Sequence, residues 1–163
     1  MASKIVPRIL LVDDDPECLI ALSSRLRFAF RAQSLAVEVA DSAASGLIAC
    51  HATHYDAVIV DIVMPGINGF KFAEQLRRTQ PDVPMIMMSG WDVKSCEEQA
   101  ERLGLVACVP KPIEFSLLCT IVGHVLEGTY DSTHQKHRSA WHHTEGHASQ
   151  RSANDRAQHP PSR

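Results

Sequence analysis

Apolar residues in this chain come in short bursts of strand length, each followed by a helical stripe. The first burst is RILLVD, Arg8 to Asp13. Asp15-Pro16 comes next, a helix-capping residue and a proline suited to the first helical position, and then Leu19, Leu22, Leu26 and Ala29/Phe30 at helical spacing. The same alternation recurs four times. LAVEVA (Leu35 to Ala40) precedes a helix over about 42–53, and DAVIVD (Asp56 to Asp61) precedes a turn at Met64-Pro65-Gly66 and Asn68-Gly69, then a helix over about 69–78. VPMIMMS (Val83 to Ser89) leads to a stripe of Val93, Cys96, Ala100 and Leu103. LVACV (Leu105 to Val109) leads to Leu118, Ile121, Val122 and Val125.

Strands that are apolar on both faces and alternate with helices imply a parallel sheet covered on both sides. The fold class expected is therefore α/β, a doubly wound five-stranded parallel sheet. Right-handed crossovers favour the strand order 2-1-3-4-5, with a crevice at the carboxyl ends of strands 1 and 3. Polar residues collect at these strand ends: Asp13 and Asp14 after strand 1, Asp61 on strand 3, Ser89 on strand 4 and Lys111 just past strand 5.

Composition adds a boundary. Of 163 residues, 45% are aliphatic, aromatic or Cys and 21% are charged, which suits one globular domain with a tail. The formal net charge of -3 is uneven, with residues 128–163 at +2 and the body at -5. Six of the nine histidines lie in that last stretch (His134, His137, His142, His143, His147 and His159), where Tyr130 and Trp141 are the only large apolar residues. With almost nothing to bury, residues 128–163 are expected to be a disordered histidine-rich tail. No apolar stretch is long enough to span a membrane and the amino terminus lacks a cleavage signal, so a cytoplasmic protein is expected. Five cysteines without C-x-x-C spacing (Cys18, Cys50, Cys96, Cys108 and Cys119) argue for buried free thiols rather than a disulfide framework or a zinc site.

The rim has a chemistry of its own. Clustered carboxylates repel one another unless a positive charge sits among them, and an oxygen-only donor set favours Mg2+, with Mn2+ as a substitute. A lysine and a serine at the same place could hold phosphoryl oxygens, so the residues suggest phosphoryl transfer to a carboxylate.

With DD, D-x-x-M-P-G-x-x-G, S-G and K-P at these spacings, residues 6–127 resemble a two-component response regulator receiver domain, of the chemotaxis-receiver kind. That family is itself an instance of the 2-1-3-4-5 order, so the order and the resemblance are not independent. The resemblance implies Asp61 as the phosphorylated residue, with Asp13, Asp14, Asp61 and the backbone carbonyl of Val63 around Mg2+. It implies that Ser89 and Lys111 contact the phosphoryl group and that the Lys111-Pro112 bond is cis. It also implies that the domain catalyses only its own phosphorylation and dephosphorylation. The donor would be a sensor histidine kinase or phosphotransfer protein. The output would be an unnamed protein target, with room for a phosphorylation-dependent homodimer through the fourth and fifth units. Cys108 stands where the family usually has an aromatic switch residue. Val63 and Trp91, at two variable positions beside the phosphoryl group, offer no proton acceptor to an attacking water, which points to slow self-dephosphorylation.

Two other readings compete. Asp13-x-Asp15 with Ser89 and Lys111 partly matches haloacid-dehalogenase-like phosphatases, with Asp13 as nucleophile, but Glu17 replaces the usual Thr or Val and Asp61 is left without a role. The absence of an output motif after Gly128 suits either a stand-alone receiver or a receiver cut from a longer regulator. The tail histidines suggest at most adventitious metal chelation, and a charge of +2 does not argue for nucleic-acid binding. Deletion of residues 129–163 is expected to shift the thermal midpoint by less than about 2 °C, below what about 1 kcal/mol produces in a domain of this size. Parallel circular-dichroism melts check this, and a larger loss would show that the segment packs on the body.

Overall fold

A computed structural model describes residues 6–90 and 93–129. The expected histidine-rich tail beyond Thr129, and Trp91, lie outside the described residues. In chain order the elements are β1 (Arg8–Val12), α1 (Pro16–Ala29), a short 3-10 turn (Arg31–Gln33), β2 (Ala36–Ala40), α2 (Ala43–Ala52) and β3 (Ala57–Asp61). They continue with α3 (Gly69–Thr79), β4 (Met85–Ser89), α4 (Val93–Arg102), β5 (Ala107–Pro110) and α5 (Phe115–Leu126). All strand pairings are parallel and the order is β2-β1-β3-β4-β5, the flavodoxin-like receiver fold. Among the described residues, no helix is long and apolar enough to cross a membrane.

The apolar bursts become strands because each is buried where the helices cover it. Every residue of β3 and of β4 is buried, which is why both read as unbroken apolar runs. Helices cover both faces. Arg25 of α1 stacks on the Phe115 ring of α5 at 3.9 Å, so those two helices share one face. On the other, Gly46 of α2 faces Phe72 of α3, and Arg77 of α3 reaches past the end of α4. Arg77 donates to four carbonyls, those of Leu103, Pro81, Val83 and Gly104, and so fastens α3 to the entry of β4 and to the α4–β5 turn.

Some expectations are corrected. Strand 5 starts at Ala107 rather than Leu105, because the Leu105 N–H bonds back to the Ala100 carbonyl and closes the end of α4. The apolar pattern does not predict the 3-10 turn, which ends at Ser34, whose φ of 60° turns the chain into β2. Cys96 and Cys108 are not free thiols but form a disulfide, with Cα atoms 6.7 Å apart. Their spacing of 12 residues gives no cue, since the α4–β5 crossover rather than the sequence interval sets the approach. Cys18, Cys50 and Cys119 are free, and the Lys111-Pro112 bond is cis.

Edge strand β2 carries two polar anchors: the Arg27 guanidinium donates to the Val37 carbonyl, and Glu38 gathers partners of its own. Buried Tyr55 donates its hydroxyl to Glu38 at 2.6 Å, and Glu38 also pairs with Arg8. The Tyr55 and then the Arg8 hydrogen bond hold the Glu38 carboxyl below the usual carboxylate range. A carboxyl held low in the folded state adds stability above its unfolded pKa and loses it as pH falls through the folded value. Glu38→Gln is therefore expected to lower the thermal midpoint at neutral pH, with the gap to wild type closing below about pH 4. Melts across that range check the trend.

Candidate functional site

The carboxyl ends of β1 and β3 lie side by side because these strands are neighbours in register, Val12 opposite Val60. Each ends on an acid. Asp13 keeps the sheet direction for one more residue, its N–H bonding to the Ala40 carbonyl at 3.2 Å, and its side chain is 1% exposed. Asp61 closes β3 at 4% exposure, whereas Asp14 is exposed. One carboxylate oxygen from each of Asp13, Asp14 and Asp61 lies within 4.8 Å of the others.

The turn after Asp61 is held by its own residues. The Val63 N–H donates to Asp61 Oδ1 at 3.3 Å, and Gly66 takes a φ of 77° that suits glycine. Asn68 caps α3 by accepting from the Lys71 N–H at 2.9 Å. Gly69 starts the helix against the end of β3: a Cβ there would stand 2.9 Å from Ile62 Cα and collide with the Asp61 carbonyl oxygen. The D-x-x-M-P-G-x-x-G spacing is thus a close backbone approach that leaves Val63 half-exposed beside the acid cluster.

Lys111 arrives from the far side of β4. Its N–H donates to the Ser89 carbonyl at 2.6 Å, and its ammonium bridges Asp61 Oδ2 at 2.8 Å and Asp13 Oδ2 at 3.1 Å. Ser89, 2% exposed, closes β4 opposite Pro110, one residue beyond the level of Asp61. The structure therefore gathers Asp13, Asp14, Asp61 and Lys111, sets Val63 and Ser89 on the flanks, and leaves Asp15 outside. The Asp15 carboxylate accepts from the Glu17 N–H at 2.9 Å and caps α1. One neighbour has no signal in the sequence. Cys18, on the first turn of α1, hydrogen-bonds Asp13, and burial followed by that contact pushes its thiol up to about 12. Only the angle at which α1 leaves β1 reveals it.

Burial raises the Asp61 pKa and outweighs what its hydrogen bond and charge attraction with Lys111 return. Burial alone would lower the Lys111 ammonium, but hydrogen bonds to Asp61 and Asp13 and their charges raise it overall. Both values rise, which disfavours the charged carboxyl of Asp61 but favours the charged ammonium of Lys111, because one ammonium serves two buried acids. Three carboxylates against one ammonium leave excess negative charge on an oxygen-only donor set, which fits a hard divalent cation.

The response regulator receiver domain family matches residues 9–123, and the chain belongs to it. It is a receiver-type phosphoacceptor domain whose acidic cluster is of the kind found at magnesium-dependent phosphorylation sites. Among its relatives, the two-component response regulator ARR2 of Arabidopsis thaliana is 34% identical over 134 residues, covering 82% of this chain and 18% of that protein. Protein PilH of Pseudomonas aeruginosa is 29% identical over 123 residues, 74% of this chain and 98% of its own length. By contrast, the chain spans only 18% to 35% of the length of ARR2 and of three related bacterial transcriptional regulators. Among solved structures, response regulator TrrA of Thermotoga maritima, in complex with Mg(2+)-BeF, aligns with a TM-score of 0.63 at 26% identity, covering 73% of this chain and 98% of that one. The receiver domain of a DNA-binding response regulator from Colwellia psychrerythraea aligns at 0.68 and 24% identity, over 74% and 98% of the two chains, a likeness of fold.

Asp61→Asn, assayed with a chelator present, is expected to raise folding stability by about 1 kcal/mol. The change removes one buried charge while Lys111 keeps Asp13. Urea unfolding of the two proteins measures it; a loss of similar size would mean that the Lys111 pair outweighs the burial of Asp61.

Proposed function

We propose that this chain works in a phosphorelay, with Asp61 accepting a phosphoryl group from the phosphohistidine of a sensor histidine kinase or phosphotransfer protein. The observation that carries the reading is the Lys111 ammonium, bridging two buried carboxylates at the ends of adjacent central strands. A structural ion pair needs one acid, not a cluster of three.

Asp13, Asp14, Asp61 and the Val63 carbonyl would hold Mg2+, or Mn2+ in its place. When bound, the ion neutralises the excess carboxylate charge and draws electron density from the phosphoryl oxygens. An Asp61 carboxylate oxygen forms the new bond to phosphorus as the bond to the donor imidazole nitrogen breaks, and the imidazole leaves with that electron pair. Lys111 then exchanges its Asp61 contact for a phosphoryl oxygen and acts as a point charge. The Ser89 hydroxyl donates to another. The protein catalyses its own phosphorylation and dephosphorylation and turns over no other substrate. Its phosphorylation state alters the surface formed by the fourth and fifth units, which contacts a downstream protein or a second copy of the chain.

Val63 supports a long-lived phosphoryl group. Its half-exposed side chain flanks the acid cluster without any group to orient a water.

With acetyl phosphate and magnesium, wild type is expected to gain one phosphoryl group by intact-mass spectrometry. Asp61→Asn and chelator-treated wild type are expected to gain none. Equal labelling of wild type and Asp61→Asn would overturn the assignment.

A further inference from the structure

The Cys96–Cys108 disulfide lies outside the phosphoacceptor site, and nothing in the proposed function uses it. It joins the middle of α4 to the middle of β5. Both residues are buried, at 2% and 3% exposure. Cys108 is level with Met87 of β4, and the next residue, Val109, is level with Met88, which is itself level with Asp61. Three residues past Cys108 comes Lys111, about 10 Å along the strand direction.

What else holds α4 makes the bond matter. Among the described side chains of this helix, Cys96 is the only buried one; Gln99 and Ala100 are half-buried, and Glu98, Glu101 and Arg102 are exposed. Its carboxyl end is fastened separately. Arg77 takes the Leu103 and Gly104 carbonyls just beyond it, and Arg102 makes an exposed ion pair with Glu74. An exposed pair of that kind contributes little. Among the described side chains of α4, Cys96 is thus the one buried against the sheet, and its sulfur is the covalent link to β5.

We propose that Cys96 and Cys108 form a redox-modification site whose disulfide state ties α4 to β5 and whose dithiol state frees the helix to move independently of that strand. The reacting partner is a small disulfide, or a dithiol protein of the thioredoxin class. One protein thiolate attacks the small disulfide, forming a mixed disulfide and releasing one thiol. The second protein thiolate then displaces the other. One S–S bond forms in the protein and one breaks in the small molecule. Two electrons pass to the small disulfide, and its two sulfurs take up the two protons. Reduction is the reverse. The other three cysteines, Cys18, Cys50 and Cys119, are free, so the Cys96–Cys108 pair is the one disulfide among the described residues.

The consequence for signalling rests on the phosphorelay reading. Lys111 leaves Asp61 for the phosphoryl group, and any resulting displacement of β5 is shared with α4 when the bond is closed and is not shared when it is open.

The test uses the full chain without phosphorylation. Wild type is equilibrated in mixtures of reduced and oxidised dithiothreitol, free thiols are counted by alkylation and mass spectrometry, and amide exchange is followed over 93–102. The oxidised protein is expected to hold one disulfide, mapped to Cys96 and Cys108, and to exchange in α4 about tenfold more slowly than the reduced protein. Cys96→Ser and Cys108→Ala are each expected to exchange at the reduced rate whatever the mixture, and Cys50→Ser to behave as wild type. If no mixture yields the Cys96–Cys108 bond, or if α4 exchanges equally in both states, the proposal is wrong. Acetyl phosphate labelling of Asp61 is measured on the same samples. Its failure would overturn the phosphorelay reading and leave the redox result standing.

Discussion

One ammonium must serve two buried carboxylates, and much of the molecule is arranged around that constraint. Strand order 2-1-3-4-5 makes β1 and β3 neighbours, so Asp13 and Asp61 end side by side in a place with little water. Neither acid has a basic residue on its own strand end. The counter-charge comes from beyond β5, and β4 stands between; at about 4.8 Å per strand the gap is near 10 Å, more than a lysine side chain spans alone. The backbone closes the difference, turning over the end of β4 with the Lys111 N–H on the Ser89 carbonyl. The charge balance of the crevice therefore depends on where β5 and the turn after it sit. A group added to Asp61 must be felt at that turn.

The elements around this centre are held unequally. β3 and β4 are buried throughout, and Gly69 presses the start of α3 onto the end of β3 with no room for a side chain. Arg77 secures the other end of α3 through four carbonyls at once. These contacts fix the acid cluster to a rigid frame. Among its described side chains α4 buries only Cys96, and the Cys96–Cys108 bond ties that residue to β5. Rigid support at the phosphoacceptor and a conditional tether one helix away are compatible, because the first depends on α3 and the second on α4.

Local order was legible in the residues. Five apolar bursts predicted five strands, the Asp15-Pro16 pair predicted the start of α1, and Asn68-Gly69 predicted the start of α3, because periodicity, capping and turn chemistry act over a few neighbouring residues. The acids at the ends of β1 and β3 were also visible, since a parallel sheet must deliver its strand ends to one rim. The apolar pattern starts strand 5 two residues early because Leu105 and Val106 are as apolar as Ala107 to Val109, and only the bond from Leu105 to Ala100 shows that the chain is still closing α4. The Cys18 contact with Asp13, the bridging of Asp13 and Asp61 by Lys111, and the Cys96–Cys108 pairing were decided by tertiary structure alone. Cys96 stood in the sheet-facing stripe of α4 and Cys108 inside strand 5, so the crossover brought them near. Yet whether two sulfurs meet depends on the roll and offset of a helix over a strand, which spacing along the chain does not encode.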